Sequence, residues 1–199
     1  MWALVESGSV SKVYTHPKSI TLGDIQYPKN IFTLWSSSEL EAIGIYEVVI
    51  DNSNLKDKNF YINTNQSFTF ADSTVTASYG TATAKPLENV LYTAQDETDG
   101  IGIEGEVKQE GIRQGYIDSI NGEATGILYS TDWMVIRAAE GGTAVPSSIT
   151  TKRAAVRTKA NAMCTQITNA ANVDALAALY IYNDDTPPVR PLGELPLVD

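Results

Sequence analysis

The spacing of apolar residues changes partway along the chain, and that change limits what it can fold into. As far as Tyr79 they recur mostly at every second position, the period of a half-buried strand. From Val107 onward they recur every three or four positions, as on one face of a helix. The chain therefore reads as an α+β fold, with a β-rich N-terminal half of hairpins and a meander, then a small antiparallel helical module. The expected organisation is a β-rich domain with one short helix over 1–90, an acidic Gly-rich linker over 91–106, the helical module over 107–182 and a Pro-rich, extended tail over 183–199.

In the first half, Ser7-Gly8 divides Trp2–Glu6 from Val10–Tyr14 and predicts a hairpin. Gly23-Asp24 does the same between Ile20–Leu22 and Ile25–Tyr27. Ser36-Ser-Ser-Glu39 has the spacing of a capping box, in which hydroxyl and carboxylate satisfy the free amides of a helix start. Gly44 supplies the stop, and Ile45–Ile50 follows as a buried strand. Phe60 and Ile62, then Phe68 and Phe70, then Val75, Ala77 and Tyr79 predict a three-stranded meander.

In the second half, Ile112, Tyr116, Ile120, Ala124 and Ile127/Leu128 mark one helical stripe, interrupted by four glycines that each cost up to about 1 kcal/mol against Ala. Thr131 or Asp132 is placed to cap a separate short helix reaching Ala139. Ser147 or Ser148 starts the clearest helix, whose inner side carries Ile149, Val156, Ala160, Met163 and Ile167. Val173, Leu176 and Tyr180 form one face of a last short helix.

Little in the composition serves catalysis. The one Cys, Cys164, excludes an intrachain disulfide, and the one His, His16, excludes a multi-histidine metal centre. No nucleophile–base–orienter set is visible, so no enzymatic activity, cofactor or metal is expected. With 24 acidic and 14 basic side chains the net charge is -10, which argues against a nucleic-acid partner. The longest uncharged apolar run, Ala175–Tyr182, is far short of the ~20 residues a bilayer span needs, and the opening MWALVESGS lacks the pattern of a secretory signal. Gly100, Gly102 and Gly105 spell G-x-G-x-x-G, but after an acidic run rather than a strand, which is the wrong context for a dinucleotide loop. Lys152, Arg153, Arg157 and Lys159 make one helix basic, and docking against the chain's own acidic stretch 96–110, or against a partner, is more economical than nucleic-acid contact.

The stretch LYSTDWMVIRAAEGGTAVPSSITTKRAAVRTKANAM, residues 128–163, resembles the C-terminal module of tailed-phage tail-fibre assembly and tail-assembly-chaperone-like proteins. The matching positions are Leu128, Thr131, Asp132, Trp133, Arg153, Ala154 and Arg157; Lys152 departs from the Tyr frequent there. MWALVESGSVSKVY and HPKSITLGDIQYPKNIF resemble the front of small phage virion or tail-accessory proteins. The likeness covers residues 1–45 and 124–180. It implies a structural clamp or partner-binding surface at Asp132, Trp133, Arg153 and Arg157. There Asp132 would cap a helix or pair with Arg153 or Arg157, and Trp133 would fill a helix crossing or, if exposed, anchor a partner.

The role implied is a non-enzymatic virion structural protein of the tail, tail fibre or baseplate, made in the host cytoplasm. It would dock other phage structural proteins as a homo-oligomer in a symmetric assembly, with no nucleic acid and no membrane as partners. A tail-fibre assembly chaperone is the alternative, and a glycan-binding tail module for host attachment the second.

Overall fold

Two residues with left-handed backbone, Ser7 (φ 52°) and Gly8 (φ 76°), turn the first strands into a hairpin. In the computed structural model, which describes residues 1–198, β1 (Trp2–Glu6) pairs antiparallel with β2 (Ser9–Tyr14). The register slips between Leu4 and Val5, so that Ser11 has no opposite residue. This bulge lets Val10 and Val13, three apart, join one cluster. The hairpin of β3 (Ile20–Leu22) and β4 (Ile25–Tyr27) turns at Gly23, and two short helices follow, α1 (Ile31–Leu34) and α2 (Ser37–Glu41). Ser36 caps α2: its Oγ accepts from the Glu39 amide, and its own amide donates to Glu39 Oε2 at 2.7 Å. Gly44 (φ 80°) then reverses the chain, and a Cβ there would lie 3.0 Å from the Val5 carbonyl oxygen.

β5 (Ile45–Asp51) is the hinge of the sheet, antiparallel to β1 and parallel to β8 (Thr74–Tyr79). β7 (Gln66–Ala71) pairs antiparallel with β8 around Asp72 and Ser73, both at positive φ, completing the order β2-β1-β5-β8-β7. β6 (Tyr61–Ile62) lies outside this sheet and pairs with β9 (Thr83–Ala84), so the predicted meander reduces to one hairpin. The edge strands β2 and β7 approach each other, and the sheet curls around a core of Ala3, Val48, Val75 and Ala77, edged by Val10, Val13, Phe68 and Phe70. The other face of β1, β2 and β5 buries Leu4, Tyr14 and Ile45 under Ile20, Ile31, Phe32 and Leu40. Being packed on both faces, β1 contributes Ala3 to one core and Leu4 to the other. The C-terminal half of β5 has no such cover. Val49 and Ile50 are exposed, so the run that reads as fully buried is buried only at Ile45 and Val48.

This first unit comprises Met1–Thr83, and a second comprises Ala84–Asp199. The second opens with β10 (Val90–Leu91) and β11 (Val107–Gln109), an antiparallel pair enclosing α3 (Ala94–Thr98). The segment 91–106, expected as a linker, is thus folded, and the reason is local hydrogen bonding. Thr93 and Asp96 form a reciprocal capping box, and the Tyr92 amide donates to the Glu106 carbonyl. Three helices follow: α4 (Ile112–Ala139), α5 (Ser147–Asn169) and α6 (Val173–Ala178). α4 is continuous through Thr131 and Asp132, which therefore cap nothing; the break expected there is overridden by packing against α5. Neither Ser147 nor Ser148 caps α5, whose N-cap position is Pro146 without a side-chain hydrogen bond. The tail, expected to be extended, is anchored instead: Leu192 and Val198 are buried, and the Leu192 amide donates to the Leu179 carbonyl.

Asp96 ties the β10–β11 hairpin together. Its carboxylate accepts from Lys108 Nζ at 2.7 Å and from the amide and hydroxyl of Thr93, which hold its pKa down at about 2. A depressed carboxylate stabilises the fold above its unfolded pKa, and that contribution disappears as pH falls through the folded value. Protection of the Tyr92 and Glu106 amides, taken as the measured exchange rate against each amide's intrinsic rate at the same pH, should therefore fall between pH about 4 and about 2. In Asp96→Asn that protection should be low already at neutral pH and flat across that window.

Candidate docking site

α4 and α5 run antiparallel, yet the large side chains they fully bury together are few: Ile120 from α4, and Val156, Met163 and Ile167 from α5. Two arginines reinforce the pair, one near each end. Arg153, buried on α5, donates from Nη1 to the Leu128 carbonyl at 2.7 Å and to Thr131 Oγ1 at 2.6 Å. Its Nη2 donates to Asp132 Oδ1 at 2.7 Å. Thr131 Oγ1 donates in turn to the Leu128 carbonyl. Removing a guanidinium from water is costly, and these acceptors, one of them charged, offset the cost. At the other end Arg113, from the first turn of α4, donates to the carbonyls of Ile167, Thr168 and Ala170 and to Glu88 Oε1. It thereby satisfies the free carbonyls that close α5.

The start of α4 is held just as closely. The Ile112 and Arg113 amides donate to the Pro86 and Leu87 carbonyls, and the Gly111 amide donates to Asn89 Oδ1. Only glycine fits at 111, because a Cβ would collide with the Glu88 backbone.

The four residues singled out by the resemblance separate here. Asp132 and Arg153 meet in an ion pair. Arg157, one turn further along α5, is exposed and makes no ion pair among the described residues; it lines a small cavity with Val135, Val145, Thr150 and Arg153. Trp133 is no plug between helices. It is 53% exposed, with the Arg137 guanidinium 4.9 Å over its ring. One residue after Asp132, it points away from α5, since adjacent helical positions lie about 100° apart. Tyr129 and Ile136, one turn before and after, share this outward face and are 77% and 58% exposed. Their i, i+4, i+7 spacing was available in the sequence, as was Arg113. Their significance was hidden because the helix was divided at Thr131.

Among the described residues, no ion pair joins the basic helix to the acidic segment 96–110. Arg153 takes Asp132, Lys159 donates to the Leu192 carbonyl, and Asp96 is held by Lys108. Cys164 lies on α5 with its Sγ 3.7 Å from Asn121 Oδ1, and burial pushes its pKa up, which makes a poor thiolate. His16 is exposed beside Thr15 Oγ1. Among the described residues, no three His, Cys, Asp or Glu side chains gather closely enough to hold a metal ion, and no helix is long and apolar enough to cross a membrane. The arrangement offers a stiff helical pair with an exposed aromatic face, which is equipment for binding a surface. No protein-family model matches the chain, nor does any curated protein or solved structure.

Two neighbouring substitutions should have opposite weights. Arg153→Ala leaves the Asp132 carboxylate and the Thr131 hydroxyl without their donor and should lower unfolding stability by about 2–4 kcal/mol. Trp133→Ala removes an exposed ring and should change it by no more than ~0.5 kcal/mol. Urea denaturation followed by circular dichroism at the helical signal reads both. A larger loss from Trp133→Ala than from Arg153→Ala would mean that the ring is a core residue.

Proposed function

We propose that the chain is a non-enzymatic docking subunit of a tailed-phage virion, in the tail, tail fibre or baseplate. It would act as a homo-oligomer in a symmetric assembly that contacts other phage structural proteins. The observation that carries this reading is the exposed Tyr129–Trp133–Ile136 face on a helix braced by two arginines. Trp and Tyr are the residue types that most often dominate binding energy at interfaces. Three neighbouring large apolar side chains in water form the kind of patch that marks an interaction surface. The likeness of residues 124–180 and 1–45 to phage tail-assembly and virion proteins supplies the setting, and the Asp132–Arg153 pair gives its motif a structural purpose that needs no substrate.

A tail-fibre assembly chaperone is the second reading, favoured by the same exposed face, because a transient binder also needs an apolar surface that is open between encounters. Mass-spectrometric counting of the chain in purified particles separates the two. A subunit of a three- or sixfold symmetric tail assembly should appear at a fixed multiple of three or six copies. Absence from particles, together with misfolded fibres when the chain is deleted, would overturn the first reading in favour of the second.

A further inference from the structure

We propose that the outward face of α4 is a self-association seam along which two copies of this chain pair antiparallel. This deepens the docking reading by naming one neighbour, and it rests on that reading only for the idea that the face serves assembly. The seam extends beyond the aromatic residues. Gly115, Ser119, Gly122 and Gly126 continue the Tyr129–Trp133–Ile136 line toward the N-terminus, and all of them are exposed. The steps between successive members alternate strictly between four and three residues from Gly115 to Ile136. This is the roughly 3.5-residue repeat that keeps one seam of a helix against another. The interior face of α4 uses other positions, Ile120, Ala124 and Thr131. A Cβ at Gly115, Gly122 or Gly126 would meet nothing within 4 Å, so nothing inside the molecule requires these glycines. Each nevertheless costs the helix up to about 1 kcal/mol relative to Ala.

The order of the seam identifies the occupant. Its N-terminal half is small and its C-terminal half large, so the face fits a reversed copy of itself. In that register Trp133 lies over Ser119 of the second copy, Tyr129 over Gly122 and Ile136 over Gly115, and the twofold axis passes beside Gly126. A parallel pair would set ring against ring at one end and leave a gap at the other. A twofold contact uses one patch twice, which is what a self-complementary face provides. Tyr129, Trp133 and Ile136 together leave roughly 400 Å² in water on each copy, judged from the 150–250 Å² an aromatic side chain buries. With the backbone of the glycine half, a paired α4 would cover roughly 1,200–1,500 Å² in total, the lower edge of a specific interface. The register also brings Asp132 toward Asp118 of the other copy, and Arg153 already holds the Asp132 carboxylate.

The test is sedimentation velocity of the isolated full chain from about 1 to about 200 µM, a range in which a dimer with an interface at the small end of the specific class is resolved from its monomer. The expected result is a concentration-dependent shift from monomer to dimer. Gly122→Leu should weaken the dimer at least tenfold while leaving the melting temperature unchanged or higher, because Leu is the better helix former and its site is open. Trp133→Ser should weaken it similarly. In a Cys164→Ser background, Gly126→Cys should form a disulfide-linked dimer on treatment with diamide, whereas Gly115→Cys should not, its two copies being about 30 Å apart. A monomer across the whole range, a dimer indifferent to Gly122→Leu, or equal crosslinking at both positions would overturn the proposal. None of these results depends on whether the chain is found in particles, so a failure here and a failure of the virion reading remain distinct.

Discussion

The second unit depends on guanidinium groups that reach from one helix to the backbone of the other. A helix pair is ordinarily held by the apolar side chains it shares, but α4 gives that interface Ile120, Ala124 and Thr131 as its fully buried members. Arg153 and Arg113 supply what so thin a core cannot, which is direction. A guanidinium binds several acceptors in one plane, so each arginine fixes both the separation and the register of the helices where it sits. With α5 held in this way, the outer surface of α4 is free to carry large side chains in solvent without loosening the fold.

The first unit solves a different problem. Its five-stranded sheet must bury both faces with short strands, and it does so by dividing the work. The curl of the sheet encloses small and β-branched residues, while α1, α2 and the β3–β4 hairpin cover the opposite face of β1, β2 and β5. Tyr14 marks the seal on that second face: burial pushes its hydroxyl pKa up, and the Phe32 ring sits 5.8 Å from its own.

Much of this was legible in the sequence wherever a turn or cap residue has one conformational use. Ser7-Gly8, Gly23, the Ser36–Glu39 box and Gly44 all act as their chemistry predicts. The inner positions of α5 were equally plain, because Val156, Ala160, Met163 and Ile167 keep one helical period. What could not be read was decided either by partners distant in sequence or by hydrogen bonds that leave no apolar pattern. α4 contains four residues, Gly115, Gly122, Gly126 and Thr131, that look locally like interruptions, and only contact with α5 makes it continuous. The segment 91–106 looks like a linker because its order comes from backbone pairing and one ion pair rather than from apolar spacing. In the candidate site, the pairing of Asp132 with Arg153 was among the readings open at the start. The outward turn of Trp133 followed once the helix ran unbroken past it.

The Arg113 contact couples two chain ends that would otherwise behave independently. The residue belongs to the opening turn of α4, yet it satisfies the closing carbonyls of α5. Helix termini usually unravel first and alone. Here the last turn of α5 cannot come undone without releasing a side chain rooted in α4, so the fraying of one terminus is tied to the other through a single guanidinium.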